Sequence, residues 1–164
     1  MNKFLIAAMS GLLASMAAPA VSAQAAHAAD MGRCADWLVE KLRSLGLEVH
    51  REQTAGNPVV LAKTSRDPAK KTVLIYGHYD VQPVDPLDLW DAPPFEPRIE
   101  DTPNGKVMRG RGTSDDKGQL MTFIEACRAW KAVHGKLPCK ITFFLEGEEE
   151  SGSPSLIPFM EKNA

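Results

Sequence analysis

The sequence predicts an α/β fold: a three-layer α/β/α sandwich with a mixed sheet. Two kinds of segment alternate along it. Met31, Cys34, Ala35, Leu38, Leu42 and Leu45 recur at helical spacing, and so do Leu120, Phe123, Ile124, Cys127, Trp130 and Val133. Between these helices stand short apolar runs, TVLIY at 72–76 and KITFFL at 140–145, fit for buried strands. Helices alternating with buried strands pack as layers around one core.

Each element has local punctuation. Asp30 is placed to cap the first helix and Gly46 to stop it. Strands are expected over 47–53 and 59–64, around a Gly56-Asn57-Pro58 turn. Residues 81–97 carry five prolines and read as a long loop. Residues 98–100 and 106–108 flank Pro103-Asn104-Gly105 and read as a hairpin. Gly135 ends the second helix, and a short last helix is expected over 155–162.

The N-terminus reads as a leader. Lys3 precedes an apolar run from Phe4 to Ala18, within the length of an export signal and short for a membrane span. Val21-Ser22-Ala23 supplies small residues for cleavage. The expected division is a signal peptide at 1–23 and one domain at 24–164, with Gln24 to Ala29 a flexible lead-in. The chain is then exported, periplasmic or secreted, with no stable membrane span after cleavage. Cys34, Cys127 and Cys139 are an odd set, and no C-x-x-C occurs. Cys34 and Cys127 fall on apolar helix faces, where a free Cys is usually a small core residue.

At 164 residues, 44% hydrophobic and 24% charged, the chain is of ordinary globular composition. A net charge of −2 with no broad basic field argues against a nucleic-acid partner. In α/β sheets, ligands gather at the carboxyl ends of strands. After TVLIY comes Gly77-His78-Tyr79-Asp80. In extended chain, His78 and Asp80 point to the same face, and a carboxylate can hold an imidazole so that its other nitrogen binds a metal. A lone His is also often structural. Ahead of the second helix stands Gly110-Arg111-Gly112-Thr113-Ser114-Asp115-Asp116-Lys117-Gly118. Ser114 or Asp115 could simply cap that helix. A phosphate loop fails on spacing and on its two acids. After KITFFL comes Glu146-Gly147-Glu148-Glu149-Glu150-Ser151-Gly152. This is either a solvated acidic turn or a site, and its place after a buried strand favours the site. Crowded carboxylates need a cation or raised pKa values. His with several carboxylates suits zinc, manganese or cobalt better than calcium.

Taken together, these segments resemble the co-catalytic di-zinc peptidases and deacylases. That family includes aminoacylases, carnosinase-like dipeptidases, succinyl-diaminopimelate desuccinylase and glutamate carboxypeptidase. The resemblance runs from about Asp36 to Lys162, through YGHYDVQPVDPLDLWDAPPFEP, GRGTSDDKGQ and FLEGEEESGSPSL, and its wording is most similar to the dipeptidase branch. It implies that His78 binds one zinc, Asp115 bridges two, and Glu150 binds the other. It further implies that Asp80 orients His78, that Glu149 is the general base, and that a cis peptide joins Asp115 to Asp116. The implied cofactor is Zn2+, two per complete site, with Mn2+ or Co2+ as alternatives. The implied reaction is cleavage of the amide bond of dipeptides or small peptides by metal-activated water. N-acyl amino acid deacylation and a truncated, non-catalytic remnant are the alternatives. The family's remaining Asp and His ligands and its lid and dimerisation domain have no counterpart in this sequence, since 14 residues follow Glu150. A homodimer is therefore expected only of a full-length protein. Trp90 and Phe95 could line the site, but packing is the favoured reading for both.

Overall fold

The computed structural model describes residues 18–163, together with Leu13. The expected leader run at 4–18 thus falls almost wholly outside the described residues. In chain order the elements are α1 (Ala28–Ser44), β1 (Glu48–Glu52), β2 (Val59–Lys63), β3 (Thr72–His78), β4 (Arg98–Thr102), β5 (Gly105–Arg109), α2 (Lys117–His134), β6 (Lys140–Glu146) and α3 (Leu156–Lys162).

The sheet order is β1-β2-β6-β3. β1 pairs antiparallel with β2, β2 antiparallel with β6, and β3 parallel with β6. The sheet is therefore mixed, as expected. β4 and β5 form a separate antiparallel hairpin around Pro103-Asn104. The parallel register sets His78, the last residue of β3, beside Glu146, the last of β6. Two adjacent carboxyl ends thus open onto one edge.

The two faces of the sheet are covered unequally. Val49, Val60, Ala62, Ile75, Ile141, Phe143 and Leu145 alternate along their strands, so they share a face. They form one cluster with Met31, Cys34, Ala35, Leu38 and Leu42 of α1 and with Leu120, Met121, Ile124 and Cys127 of α2. Both long helices therefore lie on the same side. Leu61 and Phe144 point the other way, and among the described residues they cluster with Val59 and with the short α3 through Leu156 and Phe159, while Tyr76 stacks on Phe144. Leu74 and Tyr76 on that second face are largely exposed.

Four local expectations change. Asp30 does not cap α1, because the helix starts earlier and its N-cap is His27. Asp30 sits in the first turn instead, bonded to Arg33 and to His27 Nδ1, where the helix dipole favours an anion. Nor do Ser114 and Asp115 cap α2, whose N-cap is Asp116. Phe123, Trp130 and Val133, part of the apolar spacing that marked this helix, lie on the outer side of α2. The buried stripe is the narrower set Leu120, Met121, Ile124 and Cys127. Ala25–His27 form a 3-10 turn that runs directly into α1, leaving little of a flexible lead-in. Gly46 and Gly135 do end their helices, at φ 76° and 74°, in the left-handed region that glycine tolerates.

Residues 18–22, assigned from sequence to the end of a leader, run into the core. Ala20 and Val21 are fully buried, and the Ala20 carbonyl accepts a hydrogen bond from the Val81 N–H at 2.9 Å. The small side chains that suit a cleavage site also suit close backbone packing.

Candidate metal centre

Beyond β3 the chain stays extended for three buried residues. Tyr79 turns inward, and its hydroxyl donates to the Pro58 carbonyl at 2.6 Å. Its ring lies close against Gly147; a Cβ there would fall 2.4 Å from Tyr79 Cζ, so only glycine fits. Two residues apart, His78 and Asp80 point the same way, as expected. His78 Nδ1 is 3.2 Å from Asp80 Oδ1 and 3.2 Å from the Asp80 carbonyl oxygen.

Asp80 is inaccessible to solvent and has a second task. Its Oδ1 accepts the Glu149 N–H at 3.3 Å and its Oδ2 the Glu150 N–H at 3.0 Å. One carboxylate thereby fixes both the imidazole and the acidic turn after β6. That turn is a 3-10 segment, Glu149–Ser151. Burial alone would raise the Asp80 pKa. Bonds from His78 and from the Glu150 N–H overcome that and hold it below the ordinary carboxylate range.

The segment before α2 reaches the same place. A cis peptide joins Asp115 to Asp116, as the resemblance implied. Asp115 Oδ1 is 3.2 Å from His78 Nε2, and Glu149 Oε2 is 3.7 Å from the same nitrogen. Asp116 Oδ2 accepts the His78 N–H at 3.1 Å. Gly77 makes room for that carboxylate, since a Cβ there would stand 2.9 Å from it.

His78 is thus ringed by anions. Burial pushes its pKa down, but the bond to Asp80 and the charges of Asp80, Asp116 and Glu149 push it up to about 9. Two sets of ligand atoms lie within 4.8 Å of one another: those of His78, Asp115 and Asp116, and those of His78, Glu149 and Glu150. The residues expected from sequence, His78, Asp80, Asp115, Glu149 and Glu150, are all brought together. The donor set fits a borderline divalent cation. His78 Nδ1 is occupied by Asp80, its Nε2 faces the carboxylates, and no Lys or Arg is paired with Asp115 or Glu149 among the described residues.

Three contributors were not singled out from sequence. Glu148 is buried and accepts the Asn57 N–H at 3.0 Å and the Ser155 N–H at 3.2 Å, tying the β1–β2 turn to the acidic turn. Gly56 leaves it space, as a Cβ there would sit 1.6 Å from Glu148 Oε1. Gln82 donates to Glu150 Oε2 at 2.6 Å. Asp116 stood beside Asp115 in the motif, and its adjacency was the available clue. Trp90 packs, as favoured: its Nε1 donates to the Val84 carbonyl at 2.9 Å and Arg111 lies over its ring. Phe95 tilts against His27.

Residues 74–164 match the sequence family described as Peptidase family M20/M25/M40. The chain belongs to this family. Among relatives of this M20 chain, the Cys-Gly metallodipeptidase DUG1 of Saccharomyces cerevisiae is 44% identical over 107 residues, which is 65% of this chain and 22% of that protein. The structure of the dipeptidase Dug1p from the same yeast superposes with a TM-score of 0.86 at 34% identity, over 95% of this chain and 35% of that one. Human carnosine dipeptidase 1 gives a TM-score of 0.86 at 31% identity, over 95% and 35%. The M20 chain therefore spans about a third or less of the length of the relatives it matches.

Proposed function

We propose that this chain carries the metal-binding part of a hydrolase that cleaves the amide bond of dipeptides with a metal-activated water. The observation that carries the reading is the convergence of His78, Asp115, Glu149 and Glu150 at the ends of β3 and β6. The yeast and human relatives are named as dipeptidases, which supports a short peptide as substrate. No helix among the described residues is long and apolar enough to cross a membrane.

In this reading His78, Asp115 and Glu150 hold zinc, with manganese or cobalt able to replace it. The bound metal lowers the pKa of a coordinated water and polarises the scissile carbonyl. Asp80 holds Nδ1 of His78, so that Nε2 is the ligand. Gln82 occupies one oxygen of Glu150 and leaves the other to the metal. Glu149 takes the proton of the attacking water and returns it to the leaving amine. The two neighbouring acids can divide these tasks because Asp80 holds the backbone of both.

Two variants test the division. Glu149→Gln is expected to retain zinc and to lose dipeptide hydrolysis by a factor on the order of 100 to 10,000. Glu150→Ala is expected to lose zinc. Zinc content of the purified variants and turnover of a dipeptide panel, with N-acyl amino acids as controls, are the readouts. Unchanged turnover by Glu149→Gln, or preferred cleavage of the N-acyl substrates, would overturn the reading.

A further inference from the structure

We infer that residues 18–22 are a strap built into the back of the metal centre and kept in the working protein, and that Lys117, tied to it, positions the Asp115-Asp116 segment. The inference rests on the metal-centre reading above and adds residues that sequence analysis had assigned to a discarded leader.

The strap touches two of the three segments that supply ligands. The Ala20 carbonyl accepts the N–H of Val81, the residue directly after Asp80. The Ala18 carbonyl accepts Lys117 Nζ at 2.7 Å, and Lys117 directly follows the Asp115-Asp116 pair. Lys117 is 2% exposed, a rare state for a lysine. Its stem passes Gly112, where a Cβ would come within 3.5 Å of Lys117 Cδ and 3.0 Å of Val81 Cγ1. A buried ammonium needs partners, and among the described residues the Ala18 carbonyl accepts its hydrogen bond.

Cleavage after Ala23 would strip away the Ala18 and Ala20 carbonyls together. Lys117 would keep its charge and lose its bond to Ala18, inside the core.

The first test is the intact mass and N-terminal sequence of the protein purified from its native host. A mature chain beginning at or before Ala18 is expected. One beginning after Ala18, Gln24 included, overturns the strap and leaves the proposed hydrolase untouched. The second test is zinc affinity, by competition with a chromophoric chelator. Lys117→Met is expected to weaken zinc about tenfold or more, the range seen for groups that orient metal ligands. Lys117→Arg keeps a cationic donor for the Ala18 carbonyl and should recover most of that affinity, which a mere packing role would not require. Wild-type affinity in Lys117→Met overturns the positioning role. If Lys117→Met does not fold, the N-terminal mass still decides. Failure of the wild-type protein to bind zinc would sink the proposed function instead, and the N-terminal mass would still judge the strap.

Discussion

Asp80 concentrates the most consequence in one side chain. It is buried, bonded to His78 and to two backbone N–H groups of the acidic turn. Asp80→Ala leaves those donors without a partner in the core, at about 1–3 kcal/mol each. It also frees the imidazole to rotate. Zinc affinity should fall about 10- to 100-fold, and thermal melts should show the loss of stability even in zinc-free protein. His78 supplies a pH dependence. Its folded pKa of about 9 lies above the ordinary 6.5. The stability it contributes to zinc-free protein is therefore complete below about pH 6.5 and is lost as pH rises through 9. Melting temperatures measured from pH 6 to 10 should decline over that window in the wild type and decline less in His78→Gln. Equal slopes in the two proteins would contradict the assignment. By the same linkage, zinc must displace a proton from His78, so zinc affinity should rise with pH up to about 9.

Glycines and helix faces decide matters at the level of elements. Gly147 and Tyr79 meet where β6 leaves the sheet, and the tyrosine is pinned through its hydroxyl to Pro58. Gly147→Ala should cost about 1–3 kcal/mol by overpacking and should also displace the acidic turn. Loss of zinc affinity together with a lowered denaturant midpoint is the expected pair of results. On α2 the two faces should respond oppositely. Ile124→Ala opens the core and should cost about 2–5 kcal/mol, while Val133→Ala, on the exposed face, should change stability by about 0.5 kcal/mol or less. Helical spacing alone could not separate these positions. Phe123, Trp130 and Val133 widen the apolar stripe beyond one side of the helix, and only packing against the sheet selects the half that is buried.

For the whole molecule the main feature is asymmetry. Among the described residues both long helices cover one face of the sheet, and the other face packs on the short α3. β3 is an edge strand, and it exposes Val73, Leu74 and Tyr76. Exposed apolar edges invite pairing with other chains. Leu74→Lys should therefore reduce self-association of the isolated chain, seen by light scattering, with little change in its melting temperature. The layered α/β class was legible because strands and helices each carried their own period. The unequal covering of the two faces was not, since a buried strand reads alike whichever side its partners occupy.

By itself the sequence determined the α/β class, the strand runs at 72–76 and 140–145, the glycine helix stops, and three short motifs whose five candidate residues converge in the fold. Those depend on local chemistry: side-chain period, backbone freedom and the donor types that a metal requires. The tertiary structure alone decided which residues hold those five in place. Glu148 reaches Asn57 across the sheet, Gln82 reaches Glu150 across a loop, and Asp80 bonds a turn some 70 positions away in the chain. It also decided that Ala20 and Val21 are core, because the same small residues serve a cleavage site in one context and a close backbone contact in another. Local pattern records what a segment can do; only contacts between distant segments select which of those things it does.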